Sequence, residues 1–257
     1  MKRTETEKLI EQFENDPLAL LAAIGGYYEC QKSPDGKRLT PLVGYAAKYP
    51  TDDGKGLNYV GEIYANFSKA EERPLIMNHF TSRLWEEIHL HLDPRKINSN
   101  LVFVGPQLGG ISVAQFLSLH ASSVDARYAC AEKKTIAVAT ETAREQTELF
   151  FGRHEIKKGD RVVISEDVLN NFSTTKQTVE LIEKYEAEVI CIAGLLNRSM
   201  TIDTHFDYGD KLIPVISLAR KPFKEYHQND SYVAEDILKG NVILKPKNEW
   251  SKLTKTI

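Results

Sequence analysis

The chain has 257 residues, of which 42% are hydrophobic and 27% are charged, and its formal net charge is −3. This composition is ordinary for a globular protein and excludes the basic surface that nucleic acid or an anionic membrane would require, so we expect neither as a partner. No apolar run reaches the ~18 residues of a membrane span, and three cysteines without metal-ligand spacing, together with the lack of a signal peptide, predict a cytoplasmic protein.

The first 73 residues predict two short helices followed by irregular strands and loops. Thr4 and Glu7 fit a capping box at the start of the first helix, and a second helical run extends from Leu18 to Ile24. From residue 27 onward, tyrosines, glycines and prolines alternate with short polar turns. Long irregular segments of this kind are typical of lids and binding loops.

A long amphipathic helix, predicted to begin at Pro74, leads into the first strand–loop–helix unit. Leu101 to Val104 form an apolar run that is typical of a strand buried on both faces. The glycine-rich turn Gly105–Gly110 follows, and a helical pattern begins after it. Such a turn suits an anion at the helix start, although a tight connection between strand and helix uses the same glycines.

The next strand is predicted at residues 126–131, and it ends at Glu132, Lys133 and Lys134. Residues 132–150 follow without strong amphipathicity and contain Arg144 as their only arginine. Two lysines after a strand are common on protein surfaces. The sequence therefore predicts a loosely patterned segment after this strand, with two lysines near its start.

The most informative stretch extends from Arg161 to Thr175. Val162 to Ile164 predict a buried strand, Glu166 and Asp167 follow it, and a helical pattern begins near Thr174. Carboxylates at this place can accept hydrogen bonds from vicinal hydroxyls, while the N–H groups of a helix start attract a phosphate. A ribose 5-phosphate would satisfy both requirements, although an ordinary buried strand with an acidic exit would have the same pattern.

Two further strands complete the pattern. One is predicted from Glu188 to Gly194, continuing to Asn197 and Arg198, and another at residues 211–218. Strands and helices alternate from residue 101 to residue 218. We therefore expect an α/β fold with an open, mostly parallel twisted sheet and helices on both faces.

The three loops resemble, in their order, those of the type I phosphoribosyltransferases, in particular the orotate phosphoribosyltransferases. That family has two acids followed by a Thr-Gly-Gly-Ser/Thr turn, and Glu166 and Asp167 match the acids. Phe172 and Ser173 stand where the family has two glycines, before the matching Thr174 and Thr175. The Gly105–Gly110 turn has the Gly-Pro-x-x-Gly-Gly form of the family's pyrophosphate loop.

The resemblance covers about residues 55–220 and implies the transfer of ribosyl 5-phosphate from phosphoribosyl diphosphate (PRPP) to a nucleobase, in particular orotate, in pyrimidine nucleotide biosynthesis. It also implies Mg²⁺ bound mainly through PRPP, without a dedicated protein metal site, and a homodimer. Two alternatives remain open. One is a regulatory protein that binds PRPP or a nucleotide and has lost turnover, and the other is a purine phosphoribosyltransferase.

The resemblance also assigns roles to individual residues. The catalytic residues would be Lys133, Lys134 and Asp167. The PRPP-binding residues would be Gly105, Gln107, Gly109, Gly110, Glu166, Asp167, Asn170, Asn171, Ser173, Thr174 and Thr175. The base-binding residues would be Arg198 together with Lys55, Tyr64 and Asn66 in an N-terminal hood, whose aromatic strand could equally be packed on the core.

Three domains follow from this assignment: the N-terminal helix and hood at 1–73, the phosphoribosyltransferase core at 74–220, and a C-terminal extension at 221–257 without a counterpart in the family. The missing glycines predict a change in the phosphate loop. A left-handed Phe172 would cost ~1–2 kcal/mol, whereas asparagine visits that region more readily. We therefore expect Asn170 or Asn171 to take any left-handed position, and the Phe172 ring to pack away from the phosphate.

Overall fold

The computed structural model describes residues 3–51, 56–97, 100–137 and 146–253, with the side chains of 136, 137, 146 and 147 excepted. Two compact units divide the chain. The core unit contains the chain up to Leu20 together with Ala70–Pro222, and the hood unit contains Leu21–Lys69 together with the chain from Phe223 onward. The three-domain division predicted from the sequence stays a prediction.

The helices, in chain order, are α1 (Glu5–Gln12), α2 (Pro17–Ala23), α3 (Ser68–Glu71), α4 (Pro74–His91), α5 (Gly109–His120), α6 (Ser173–Glu183), α7 (Ala234–Leu238) and α8 (Trp250–Leu253). The strands are β1 (Tyr27–Glu29), β2 (Leu42–Tyr49), β3 (Leu57–Gly61), β4 (Ile63–Ala65), β5 (Leu101–Pro106), β6 (Arg127–Ala137), β7 (Gln146–Phe150), β8 (Arg161–Leu169), β9 (Glu188–Asn197), β10 (His205–Tyr208), β11 (Lys211–Arg220) and β12 (Val242–Ile243). Within the described ranges, no helix has the length and apolar composition of a membrane span.

The core unit is built on a seven-stranded sheet in the order β10-β11-β9-β8-β5-β6-β7. The five inner strands are parallel, and the two edge strands β10 and β7 run antiparallel to their neighbours. Every residue of β5 is buried, because helices cover both faces of the sheet. This arrangement confirms the predicted α/β class and the predicted order of strands and helices.

Alternate residues of β5 face the two layers of helices. Val102 and Val104 pack in one apolar cluster with Val179 and Ile182 of α6. On the opposite face, the Phe103 ring meets the Trp85 ring of α4 edge-on at 5.6 Å. The α4 helix begins at Pro74, as predicted, and α1 begins with the predicted capping box of Thr4 and Glu7.

The strand order places the glycine-rich turn after β5 beside the acid pair of β8. The connection through α5 leads from β5 to β6, whereas the connection through α6 leads from β8 to β9 on the other side of the sheet centre. The carboxyl ends of β5 and β8 therefore adjoin at the point where the direction of winding changes. Ligand crevices of open α/β sheets form at such a point.

The hood unit contains two small sheets. In one, β1 pairs antiparallel with β4, and in the other, β2 pairs with β3 antiparallel and with β12 parallel. An apolar cluster includes Tyr28, Tyr45, Phe223 and Trp250. The C-terminal segment, for which the sequence indicated no role, thus supplies a strand and aromatic side chains to the same unit as the predicted hood.

Candidate active site

Two adjacent carboxylates near the carboxyl end of β8 form the centre of the candidate site. Burial raises the pKa of Glu166 well above its ordinary value, and the neighbouring Asp167 charge raises it further, while the Lys133 charge opposes the shift. Burial also raises the pKa of Asp167, although its carboxylate Oδ1 accepts a 2.8 Å hydrogen bond from the Val168 N–H. Negative charge is therefore concentrated here without full compensation by protein groups.

The glycine loop packs directly against these carboxylates. A Cβ atom at Gly109 would lie 2.3 Å from Oδ1 of Asp167, and one at Gly105 would lie 2.2 Å from the carbonyl oxygen of Gly110. Any side chain at either position would overlap its neighbour, so these glycines allow a close approach of backbone to backbone and of backbone to carboxylate. The peptide between Gln107 and Leu108 in this loop is cis.

Gln107 joins the glycine loop to the end of β6. Its N–H donates to the carbonyl oxygen of Ala131 at 3.1 Å, and its side-chain Oε1 accepts from the N–H of Lys133 at 3.2 Å. The Lys133 side chain is exposed, and its charge acts on the pKa of Glu166. Lys134 is also exposed, and successive side chains of a strand point to opposite faces, so Lys133 and Lys134 leave β6 on opposite sides. The role predicted for Lys134 stays a prediction.

Phe172 contradicts the predicted conformation of the phosphate loop. The left-handed residue is Phe172 itself, with φ 58° and ψ 16°, and neither Asn170 nor Asn171 has a positive φ. A left-handed conformation costs ~1–2 kcal/mol, but burying a phenylalanine side chain contributes ~1.5–3 kcal/mol, and the ring is only 3% exposed. The free energy gained by burying the Phe172 ring therefore exceeds the cost of its left-handed backbone conformation.

The Phe172 ring does pack away from the predicted phosphate position, as expected. It lies in the apolar cluster beneath α6 and stacks on Phe206 of β10, with ring centres 5.4 Å apart and planes 16° from parallel. The space beside Asp167 is therefore not filled by this ring.

The first turn of α6 presents several polar groups at the same end of the sheet. The N–H and hydroxyl of Ser173 both donate to Oδ1 of Asn171, at 3.1 and 2.9 Å, and the first intrahelical bond runs from Lys176 N–H to the Phe172 carbonyl. Helix geometry leaves the N–H groups of Thr174 and Thr175 without an intrahelical acceptor. Thr175 is 2% exposed, so its side chain is less accessible than those of Ser173 and Thr174.

Arg198 follows the carboxyl end of β9, beside the acid-bearing strand. Its N–H donates to the carbonyl oxygen of Leu169 at 2.9 Å, and the residue is 9% exposed. The preceding Asn197 is fully buried. Arg198 thus belongs to the same end of the core sheet as Glu166 and Asp167.

The remaining predicted base-binding residues belong to the hood unit. The Tyr64 ring lies in the hood's apolar cluster, where burial raises its pKa, and its centre is 6.2 Å from that of Trp250. Asn66 accepts a 2.5 Å hydrogen bond from the Ser68 hydroxyl and donates its N–H to the Gly26 carbonyl. Lys55 and Arg144 lie outside the described residues.

Glu71 is a site residue that the sequence did not predict. Its charge raises the pKa of Asp167, and its Oε1 accepts a 2.6 Å hydrogen bond from the hydroxyl of Ser112 on α5. No motif surrounds Glu71, and only the folded chain brings it near β8. Glu71 adds a further carboxylate near Asp167, and carboxylate oxygens are ligands of the kind that a hard cation such as Mg²⁺ prefers. Within the described part of the chain, no cluster of three or more acidic, histidine or cysteine side chains is arranged to hold a metal directly.

The raised pKa values predict how stability depends on pH. The folded chain binds these two protons more tightly than the unfolded chain does, so the free energy of unfolding falls as pH rises from the ordinary carboxyl range toward the raised pKa values. Glu166→Gln removes one of the charges. We expect thermal unfolding of this variant at pH 8 a few degrees above wild type, or about 1 kcal/mol for a chain of this size.

The difference in unfolding temperature should shrink as the pH is lowered toward the ordinary carboxyl range, because the wild-type carboxyl becomes neutral as the pH falls through its raised pKa. Glu180→Gln, on an exposed position of α6, makes the same change of charge away from the acid pair and serves as the control. A Glu166→Gln effect that is constant between pH 5 and pH 8 would contradict the assignment.

The chain is similar to known proteins in sequence and in fold. The model of the phosphoribosyl transferase domain matches residues 81–217. The orotate phosphoribosyltransferase of Caldanaerobacter subterraneus subsp. tengcongensis is 28% identical over 146 residues, which are 56% of this chain and 65% of that protein. The enzyme of the same name from Carboxydothermus hydrogenoformans is 28% identical over 136 residues, or 52% and 62% of the two chains. The chain thus spans less than two thirds of each of these relatives.

Solved structures of similar fold include both orotate and adenine enzymes. The orotate phosphoribosyltransferase of Aeropyrum pernix superposes with a TM-score of 0.48 at 15% identity, covering 79% of this chain and 92% of that one. The adenine phosphoribosyltransferase of Thermoanaerobacter pseudethanolicus gives 0.46 at 17% identity, covering 68% and 94%. Because the domain match spans more than half of the chain, this protein belongs to the phosphoribosyl transferase domain family.

Proposed function

We propose that this protein transfers the ribosyl 5-phosphate group of PRPP to a nucleobase, with orotate as the acceptor, and releases pyrophosphate. The observation that carries the proposal is the position of the Asp167 carboxylate. It packs against Gly109 of the glycine loop and stands a few residues before the start of α6. A carboxylate pair for ribose hydroxyls is therefore flanked by two backbone segments whose N–H groups suit phosphate groups.

Each group has a distinct task in the proposed reaction. Glu166 and Asp167 accept hydrogen bonds from the ribose hydroxyls, and the first turn of α6 holds the 5-phosphate. The Gly105–Gly110 turn cradles the pyrophosphate, and Lys133 compensates the charge that develops on it as the bond from C1′ to oxygen breaks. A ring nitrogen of the base forms the new bond to C1′, so catalysis consists mainly of positioning and charge stabilisation. Mg²⁺ entering with PRPP would neutralise part of the diphosphate charge.

Orotate is proposed as the acceptor because of Arg198 and because the curated relatives described above carry that name. A guanidinium can meet a carboxylate through two parallel hydrogen bonds, which an uncharged base cannot match. Tyr64, Asn66 and Lys55 remain proposed contacts to the base. The homodimer and the cytoplasmic location also stay predictions, and sedimentation of the purified protein would test the first.

The proposal is tested by incubating the purified protein with PRPP, Mg²⁺ and one base at a time. We expect PRPP-dependent loss of orotate absorbance and stoichiometric release of pyrophosphate, with no comparable product from uracil or adenine. Preferential use of adenine would instead support a purine enzyme. PRPP binding without turnover of any base would support the regulatory alternative, against which the placement of the Phe172 ring in the core is the structural argument.

Arg198→Ala tests the acceptor separately. Losing a charge-assisted pair removes ~1.5–3 kcal/mol, so we expect the KM for orotate to rise at least about tenfold while the dissociation constant of PRPP stays within about twofold. Arg198→Lys keeps the charge but loses the planar fork, so its KM for orotate should lie between those of wild type and Arg198→Ala. An equal loss of orotate use and PRPP binding in Arg198→Ala would contradict a role in base recognition.

A further inference from the structure

Arg220, at the carboxyl end of β11, holds the backbone on both sides of Arg198. Its Nη1 donates to the carbonyl oxygen of Asn197 at 3.1 Å, and its Nη2 donates to the carbonyl oxygen of Ser199 at 2.6 Å. The two acceptors belong to the residues that flank Arg198. The third nitrogen, Nε, donates to Oδ1 of Asp203 at 2.8 Å. One guanidinium group therefore fixes three points around a single short loop.

The Asn197 side chain makes hydrogen bonds across the same loop. Its Nδ2 donates to the carbonyl oxygens of Ile202 and Asp203, both at 3.1 Å, and its Oδ1 accepts from the Ser199 N–H at 3.0 Å. Asn197 is fully buried, so these bonds are shielded from water. An aspartate could accept from Ser199 but could not donate to the two carbonyls, and the amide is thus the group that this loop requires.

The loop at residues 197–203 is also hydrogen-bonded to β8, the strand that contains Glu166 and Asp167. The Arg198 N–H donates to the Leu169 carbonyl oxygen at 2.9 Å. The peptide unit before Arg198 is held by Arg220 through the Asn197 carbonyl, and the one after it is held by Asn197 Oδ1 through the Ser199 N–H. Both are thus fixed relative to β8. The direction in which the Arg198 side chain leaves the backbone is then set by the protein and not by the bound base.

We propose that Arg220 is a positioning residue that sets specificity for an anionic base by fixing the backbone of Arg198. This inference rests on the proposed function, because it concerns how the base is recognised. Asp203 contributes to this arrangement as the acidic partner of Arg220. Its ion pair with Arg220 offsets the charge of that guanidinium beside the loop.

The first test is a set of steady-state measurements on Arg220→Ala and Arg220→Lys. Arg220→Ala removes the bond to the Ser199 carbonyl and one of the two bonds to the Asn197 carbonyl, which also accepts from the Lys221 N–H. The loop is then less restrained, and we expect the KM for orotate to rise about tenfold with the KM for PRPP within about twofold of wild type. Lysine keeps the charge and can still donate to a carbonyl but lacks the planar fork of donors, so Arg220→Lys should recover part of the loss. Arg161→Ala is the matched control, because its guanidinium also donates to a backbone carbonyl, that of Arg95, at the opposite end of the sheet.

The second test needs no substrate and separates this inference from the proposed function. Hydrogen–deuterium exchange of the peptide containing residues 197–203 should be faster in Arg220→Ala than in wild type, intermediate in Arg220→Lys and unchanged in Arg161→Ala. If the wild type does not use orotate, the proposed function fails and the exchange rates still decide whether Arg220 fixes the loop. Wild-type exchange in Arg220→Ala, an equal rise of both KM values, or an orotate KM that does not change would each overturn the proposal.

Discussion

Asp167→Asn is expected to weaken PRPP binding by about tenfold or more, because a charge-assisted hydrogen bond to a ribose hydroxyl is worth ~1.5–3 kcal/mol. The fold should survive, since the asparagine carbonyl oxygen can still accept the 2.8 Å bond from the Val168 N–H. Removing one of two neighbouring carboxylates also relieves the repulsion that raises the pKa of Glu166. The variant should therefore unfold at the wild-type temperature or slightly above it while binding PRPP less tightly.

Calorimetric titration with Mg²⁺ and PRPP measures the affinity, and thermal unfolding of the ligand-free protein measures the stability. Asp207→Asn, at an exposed position of the edge strand β10, makes the same substitution away from the site and should bind as wild type does. Unchanged PRPP affinity in Asp167→Asn would remove the main support for the proposed function.

Gly109→Ala is expected to have a still larger effect on turnover. The new Cβ would lie 2.3 Å from Oδ1 and 2.4 Å from Cγ of Asp167, so the carboxylate must move to reach an ordinary contact beyond 3.4 Å. A displacement of ~1 Å in a positioned group can lower the rate about a hundredfold. We expect a loss of that order in kcat/KM. Helix propensity favours alanine over glycine by ~1 kcal/mol, which limits the loss of stability at this first residue of α5.

Gln115→Ala introduces alanine at an exposed position of the same helix and is the control for effects on α5 itself. Steady-state kinetics with both substrates, alongside thermal unfolding, separate a displaced carboxylate from a destabilised fold. Wild-type kcat/KM in Gly109→Ala would show that the contact between the glycine loop and Asp167 does not position the reacting groups.

Much of the fold could be predicted because the pattern of each element is local. The apolar run at Val162–Ile164 and the helical spacing after Thr174 lie within single segments, and β8 and α6 form there. The acids and the glycine loop were predictable for the same reason, since the end of a parallel strand and the start of the next helix mark the ligand-binding edge of such a sheet. Most predicted boundaries lie close to the observed ones, but β6 continues to Ala137, beyond its predicted end at Ala131, and pairs with β7, a strand that was not predicted.

Phe172 shows where local reasoning fails. Backbone preference alone assigns the left-handed position to an asparagine, but it contains no information about Phe206, which is distant in sequence and stacks on the Phe172 ring. Glu71 and Arg220 are similar cases, because each acquires its role only through a contact with a remote segment. The C-terminal segment likewise has no recognisable pattern, and yet β12 pairs with β2.

By itself, the sequence determined the alternation of strands and helices, the mostly parallel sheet and the position of Glu166 and Asp167 at a strand end, because periodicity and turn chemistry act between near neighbours. Only the tertiary structure decided that the Lys133 charge acts on Glu166, how Arg220 and Asn197 hold the loop of Arg198, and which loop residue is left-handed. Those features depend on burial and hydrogen bonds between segments far apart in the chain, whose free energies exceed the local backbone preferences.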